Sequence, residues 1–484
     1  MAEPETRPKV DRKARLKMPA QVMPKQDPQV RIHNWDEVYL PLDLEAAKAE
    51  ATRCIQCPAA PCIEGCPLHN DIPAALWLLE NGDVLGAARK FRETSNLPEM
   101  CGRLCPQELQ CEGACVIGKN AKPVAIGRLE VFVNDYLRKE VGYQVPELPP
   151  STGKRVAVVG AGPAGLAVAE ELALKGHSIT VFDAWPQPGG LLLYGIPNFK
   201  MVKEPLYQKL DYLRKLGIEF ICNTYIGKEV TVDDLLKGSP WGKFDAVFLG
   251  HGAGVGVELR VPGEDLPGIF TAMDYLVRGN LAPELLPESM REPLPAARSV
   301  SVIGGGDTAM DCVRTAVRLG AETVTCVYRR TEAEMPGRAD ERVHAHEENI
   351  QFHFLAAPLE FFAGDDGRVA RMKCQRMELG EPDDSGRRRP VPIPGSEFII
   401  ETDMVLKGLG FGVDRAVAWS ASGLGTERWG GIVIDRETGA TSRPGIFAGG
   451  DAVNGADLVV TALRDGRIAA KGIHQYLTGE ASGA

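Results

Sequence analysis

The strongest constraint on how this chain folds is a pattern that occurs twice. Residues 154–183, KRVAVVGAGPAGLAVAEELALKGHSITVFD, run strand, glycine turn, apolar helix, strand; residues 299–330, SVSVIGGGDTAMDCVRTAVRLGAETVTCVYRR, repeat the order. Each is a βαβ unit, which predicts two parallel sheets covered by helices. In the first unit Gly160-Ala161-Gly162-Pro163-Ala164-Gly165 fits G-x-G-x-x-G. Gly160 permits the tight turn, Gly162 lets backbone approach a pyrophosphate, and Gly165 lets helix pack on strand, with the helix N-terminus facing the negative charge. Asp183 ends the second strand and is placed to accept a hydrogen bond from an adenosine ribose hydroxyl. In the second unit Gly304-Gly305-Gly306-Asp307-Thr308-Ala309 fits G-x-G-x-x-A, but its second strand ends in Tyr328-Arg329-Arg330. A guanidinium pairs bidentately with a 2′-phosphate, so the second unit points to NADPH; an ion pair with a neighbouring acid is the alternative use of these arginines. With NADPH there, the first unit is left for FAD.

Two further features fit FAD. Pro188-Gly189-Gly190-Leu191-Leu192 follows Asp183, and Gly449-Gly450-Asp451 near the C-terminus offers a carboxylate for the ribityl hydroxyls. A helix from about Leu458 to Asp465 would aim its N-terminus at the isoalloxazine ring.

Eight of the twelve cysteines lie between positions 54 and 115, in two groups: Cys54, Cys57, Cys62, Cys66 and then Cys101, Cys105, Cys111, Cys115. In a large chain without an apparent export signal, such spacing reads as metal binding before disulfides. Runs of four with Pro67 directly after Cys66 resemble iron–sulfur ligation more than zinc sites, and eight thiolates suggest two 4Fe-4S clusters. In two-cluster ferredoxins the last cysteine of a run reaches the other cluster. On that logic Cys54, Cys57, Cys62 and Cys115 hold one cluster. Cys66, Cys105 and Cys111 hold the second and need a fourth ligand, for which Cys101 and Glu130 are candidates. Cys222, Cys312, Cys326 and Cys374 are isolated and read as structural thiols. No paired cysteines follow either glycine motif, so a dithiol exit for electrons is missing.

At 484 residues the chain predicts roughly three domains. A net charge of -10 disfavours a nucleic-acid partner. No run approaches the ~20 apolar residues of a membrane span, and the start lacks a secretory apolar core, so the reading is cytoplasmic with no membrane partner. The basic residues among the first 25 read as a solvated arm. Helices are expected over residues 43–51, between the cysteine groups, and over IGRLEVFVNDYLRKE; residues 145–151 form a Pro-rich linker. Residues 363–396 read as surface turns, with Arg387 to Arg389 a solvated loop. The fold class is thus α+β multidomain: a helical iron–sulfur domain, then two Rossmann-like α/β domains.

With both units, Gly450-Asp451 and the cysteine groups in this order, residues 35 to 478 resemble the small subunits of NADPH-dependent glutamate synthases. The resemblance rests on CGRLCPQ from Cys101, GGLLLYGIP from Gly189, GGGDTAMDC from Gly304, Tyr328-Arg329-Arg330 and Met335-Pro336-Gly337. The same module is similar to the N-terminal part of dihydropyrimidine dehydrogenase and to a subunit of NADPH:ferredoxin transhydrogenases. It implies a glutathione-reductase-like arrangement, with the NADPH domain inserted into the FAD domain. The expected borders are 1–150 for the iron–sulfur domain, 151–258 and 411–484 for FAD, and 259–410 for NADPH. It also implies that Glu130 completes the second cluster, that a hydride passes to FAD with no catalytic side chain, and that single electrons then reach a large alpha subunit carrying FMN and glutaminase. That hetero-oligomer would make L-glutamate from L-glutamine and 2-oxoglutarate. A differently partnered NADPH oxidoreductase and a non-enzymatic iron–sulfur scaffold are the rival readings. Leu249-Gly250-His251-Gly252-Ala253 departs from the resemblance, standing where such proteins carry an Ala-Thr-Gly turn.

Overall fold

The computed structural model describes residues 8–383 and 386–479. The first part is helical. Helix Leu44–Thr52 starts at Asp43, whose carboxylate accepts the Ala46 N–H at 2.7 Å, a cap worth about 1 kcal/mol. Ile72–Glu80 and Val84–Arg92 are separated by Gly82, which turns the chain at φ +87°. Helix Ile126–Glu140 covers the expected amphipathic segment, with Leu129, Glu130 and Val133 buried.

From residue 8 on, the basic arm departs from the expected solvated form at two positions, while Lys9, Lys13 and Lys17 are exposed as expected and residues 1–7 lie outside the described residues. Arg12 donates to the carbonyls of Ile55 and Gln56, and Arg15 donates to Cys54 O and pairs with Glu80. Arg31 is 1% exposed and reaches across the chain to Glu348 at 2.8 Å and Glu347 at 2.7 Å.

From residue 155 the chain is α/β. Strands β1 (Arg155–Val159), β2 (Ser178–Phe182), β3 (Glu219–Ile221) and β4 (Ala246–Leu249) begin a first sheet. The chain leaves it through β5 (Val255–Gly256) and builds a second sheet from β6 (Ile269–Thr271), β7 (Ser299–Ile303), β8 (Thr323–Tyr328) and β9 (Gln351–Phe354). An antiparallel ribbon follows: β10 (Ala356–Ala363), β11 (Val369–Pro382) and β12 (Arg388–Glu401). Strand β13 (Met404–Lys407) returns to the second sheet, β14 (Phe411–Gly412) pairs antiparallel with β5, and β15 (Ile446–Ala448) completes the first sheet. Both five-stranded sheets are parallel, ordered β15-β4-β1-β2-β3 and β6-β13-β7-β8-β9. Their central strands are mostly buried because helices cover both faces: every residue of β4 is buried, and all but the first residue of β1 and of β7.

The ribbon overturns the reading of residues 363–396 as turns. Val369, Met372, Cys374 and Met377 are buried while their neighbours in β11 are more exposed, the alternation of a half-covered strand. Pro390, Pro392 and Pro394 lie two residues apart on β12, which pairs only with β11. An edge strand tolerates residues that cannot donate. Arg388 and Arg389 belong to this strand rather than to a loop.

The three parts of the chain are fastened at one buried charge network. The Glu348 carboxylate, 0% exposed, takes Arg31 at 2.8 Å, Arg314 at 3.0 Å and Arg318 at 2.8 Å. Arg314 and Arg318 also lie over the Phe199 ring, 4.4 and 4.2 Å from its centroid, and Trp35 stacks on the same ring, centroids 6.1 Å apart. Burial alone would raise the Glu348 pKa, but Arg314 and Arg318 hold it down to about 2. His344 is buried with neither ring nitrogen hydrogen-bonded, and burial with Arg314 lowers it from 6.5 to about 3. The unfolded imidazole takes up a proton near pH 6.5 and the folded one does not, so its contribution is complete above 6.5 and lost as pH falls toward 3. Glu348 acts in the same direction below about 4.5. Melting temperature is therefore expected to hold from pH 8 to 7 and to fall steadily between 6 and 4. A flat profile over that range in thermal melts would contradict these assignments.

Candidate functional site

A cavity of about 350 Å³ opens at the C-terminal ends of β1, β2 and β4, where open parallel sheets bind ligands. Gly160, Gly162, Pro163, Ala164, Asp183, Gly190, Leu191 and Asp451 all line it. Gly160 has φ +101°, and a Cβ there would sit 2.4 Å from the Gly250 carbonyl oxygen. A Cβ on Gly162 would meet nothing within 4 Å, so that glycine borders open space. Gly165 and Gly450 do not line the cavity; they are packing positions. A Cβ on Gly165 would lie 1.9 Å from Gly160 O, and one on Gly450 would lie 3.1 Å from the Ala164 Cβ.

Asp183 accepts Ala161 N at 2.7 Å and Trp185 N at 2.9 Å, and burial pushes its pKa up against those two bonds. At the opposite end Asp451 is pushed up to about 7 by burial, with Asp457 and Asp465 adding to the rise. Helix Val459–Thr478 begins here, its first turn lining the cavity through Leu458, Val459 and Ala462, so its positive end faces inward. Sequence reasoning did not find Trp185, Tyr225, Met273, Asp414 or Asp457, which also line the cavity. Tyr194 lay within a quoted motif without a role; its ring meets Trp185 edge-on at 4.3 Å. The size, the open face of Gly162 and the facing helix end fit a dinucleotide.

The second glycine loop is built the same way. Gly304 has φ +144°, and a Cβ there would lie 2.2 Å from Gly408 O, while Ala309 is fully buried against Gly304 and Gly408. Helix Asp307–Arg318 starts immediately after Gly306, whose added Cβ would meet only Pro336, at 4.0 Å. Asp307 accepts the Arg338 N–H at 3.2 Å.

The two arginines divide. Arg330 is 4% exposed, pairs with Asp383 at 2.6 Å and donates Nε to Arg388 O at 2.7 Å. This corrects the expectation that it faces a 2′-phosphate: it anchors the ribbon. Arg329 is exposed and makes no hydrogen bond or ion pair among the described residues.

In the helical domain Cys54, Cys57, Cys62 and Cys115 line one small, apolar cavity of about 20 Å³, so the second group's last cysteine joins the first group's first three. Cys66, Cys101, Cys105, Cys111 and Glu130 form a neighbouring set in which each group's charge raises another's pKa. Both candidate fourth ligands are therefore present. Burial pushes Cys54 up to about 11, Cys62 up to about 12 and Cys66 up to about 11, and it raises Glu130 with a further push from Cys101. Such thiols stay protonated unless a metal replaces the proton. Among the described residues no three donors converge on one point. Of the isolated cysteines, Cys312, Cys326 and Cys374 are buried and Cys222 is half-buried.

Residues 31–141 match the family model of dihydropyrimidine dehydrogenase domain II, 4Fe-4S cluster, and residues 154–466 match pyridine nucleotide-disulphide oxidoreductase. The glutamate synthase (NADPH) small chain of Escherichia coli (strain K12) is 41% identical over 461 residues, covering 94% of this chain and 96% of that one. The chain belongs to the pyridine nucleotide-disulphide oxidoreductases, in the group of the glutamate synthase small chains. The same group takes in the E. coli (strain K12) oxidoreductase AegA, 43% identical over 93% of this chain and 68% of its own. It also takes in the NADP(+)-dependent formate dehydrogenase subunit beta of Moorella thermoacetica, 38% identical over 86% and 60%. Among solved structures, Mycobacterium tuberculosis FprA in complex with NADPH superposes with a TM-score of 0.56 at 20% identity, over 68% of this chain and 85% of that one; this likeness concerns the fold. As a member, the chain is a pyridine-nucleotide-dependent oxidoreductase joined to a 4Fe-4S domain. No described helix is long and apolar enough to cross a membrane.

Proposed function

We propose that this chain is the NADPH-oxidising, electron-input subunit of a cytoplasmic glutamate synthase. When bound, FAD would turn the coenzyme's hydride into single electrons that two 4Fe-4S clusters relay to a partner. The protein's task is alignment rather than acid–base chemistry. Gly304, Gly306, Asp307, Thr308 and Ala309 form the coenzyme's phosphate turn; Gly160 to Gly165, Asp183, Gly190, Leu191, Gly450 and Asp451 shape the FAD site. Cys54, Cys57, Cys62 and Cys115 hold one cluster. Cys66, Cys105, Cys111 and Glu130, in preference to Cys101, hold the other.

The observation that carries this reading is a seam between the helical domain and the helix that bears the first dinucleotide loop. Asn96, five residues before Cys101, donates to Glu170 of helix Pro163–Ala173 at 2.8 Å and accepts from Arg467 at 3.0 Å. The cysteines thus belong to the flavin-side unit rather than to a tethered appendage. A large alpha subunit with FMN and glutaminase is the partner in this reading, supported by near end-to-end similarity to a glutamate synthase small chain. The identity with AegA and with a formate dehydrogenase subunit favours a second reading, the same electron input serving a different acceptor.

Anaerobic titration of the purified chain tests the core of both. Flavin and iron absorbance should bleach with NADPH in preference to NADH. Arg329→Ala should weaken NADPH by ~10- to 100-fold and NADH little, the range expected for losing a charge-assisted bond, while Arg330→Ala should mainly lower stability. Equal losses for both coenzymes in Arg329→Ala would refute the 2′-phosphate assignment. A co-purifying chain with glutaminase activity would select glutamate synthase over the second reading.

A further inference from the structure

This inference rests on the FAD reading and deepens it. His251 follows β4 and lines the large cavity. It sits against the first turn of the phosphate loop, since a Cβ on Gly160 would come within 2.9 Å of the His251 Cα. Its Nδ1 is buried and has no hydrogen-bond partner, an unfavourable state that a bound group would relieve. The polar neighbour of the ring is Asp414, whose backbone carbonyl accepts from the ring and whose carboxylate takes the Tyr225 hydroxyl.

Burial holds the ring neutral, with its pKa lowered from 6.5 to about 4. A neutral imidazole that donates from one nitrogen presents a lone pair on the other. Donation toward Asp414 leaves Nδ1 an acceptor, and phosphate oxygens carry no hydrogen to give it. Its partner is a hydroxyl or an amine. The position selects which half of the ligand. Tyr225 follows Thr224, whose N–H donates to Asp183 O at 2.9 Å, so His251 shares the Asp183 end of the cavity.

We propose that His251 is a positioning residue for FAD, accepting at Nδ1 a hydrogen bond from a hydroxyl or amine of the adenosine half. The test uses the full-length chain stripped of flavin, with affinity read by fluorescence for FAD and by competition for ADP and FMN. His251→Phe keeps a ring and removes the acceptor; it should weaken FAD and ADP each by ~10-fold and leave FMN unchanged. His251→Asn restores an acceptor and should recover most of the loss, which separates a lost bond from a disturbed fold. Unchanged FAD and ADP affinity in His251→Phe would overturn the proposal, as would a loss confined to FMN or one that His251→Asn does not recover. If the wild-type chain binds neither FAD nor ADP, the FAD reading itself fails and the inference falls with it.

Discussion

Replacing Cys115 by serine is expected to remove about four of some eight irons per chain, and the four lost should be those that Cys62→Ser also removes. The reason is spatial: Cys115 closes the small cavity lined by Cys54, Cys57 and Cys62, although it lies 53 or more residues from them in the chain. A chain in which each sequence group held its own cluster would behave differently, with Cys115 and Cys111 forming one unit. Double variants separate the cases. Cys62→Ser with Cys115→Ser should lose no more iron than either alone, whereas Cys111→Ser with Cys115→Ser should lose nearly all. Iron analysis and low-temperature EPR of anaerobic preparations read this directly; the reverse pattern would reject the crossed ligation.

Glu348→Ala is expected to destabilise the fold by about 3–5 kcal/mol, the range for removing one partner from a buried charge pair. Three guanidiniums, those of Arg31, Arg314 and Arg318, converge on this carboxylate, which is 0% exposed. Glu341 and Glu347 remain to Arg314 and Arg31, but Arg318 keeps no other carboxylate within 4.0 Å among the described residues. Denaturant unfolding would measure the loss. A change below about 1 kcal/mol would mean that the arginines rehydrate freely and that the network is not a fastening.

Much of this was legible in the chain. The two βαβ units declare themselves through the strand before each glycine turn and the helix after it, and the crossed cysteine grouping follows from ferredoxin spacing. What stayed hidden depends on partners far away in sequence. Arg31 carries no local signal until Glu348, 317 residues on, is beside it. Arg330 reads as a phosphate ligand until Asp383, 53 residues later, is found holding it. The ribbon was missed for a different reason: Gly, Asp, Ser and four prolines dominate residues 380–395 and mask the pattern of Val369, Met372, Cys374 and Met377. Asp414 and Tyr225 carry no local signal at all; only the closing of the cavity makes them neighbours.

The paired strands β5 and β14 make a single stem through which the second sheet and its ribbon leave and rejoin the first. A body hung on one stem can swivel, and many carriers that shuttle between sites work that way. Here Arg31, delivered by the N-terminal segment, ties the same body down at a second point through Glu348, beside the Phe199 ring that Arg314 and Arg318 cover. Swivelling would pull Arg31 from Glu348 and lift Arg314 and Arg318 off the Phe199 ring. The consequence is a wiring diagram rather than a crane: the distance between the two glycine loops is set when the chain folds.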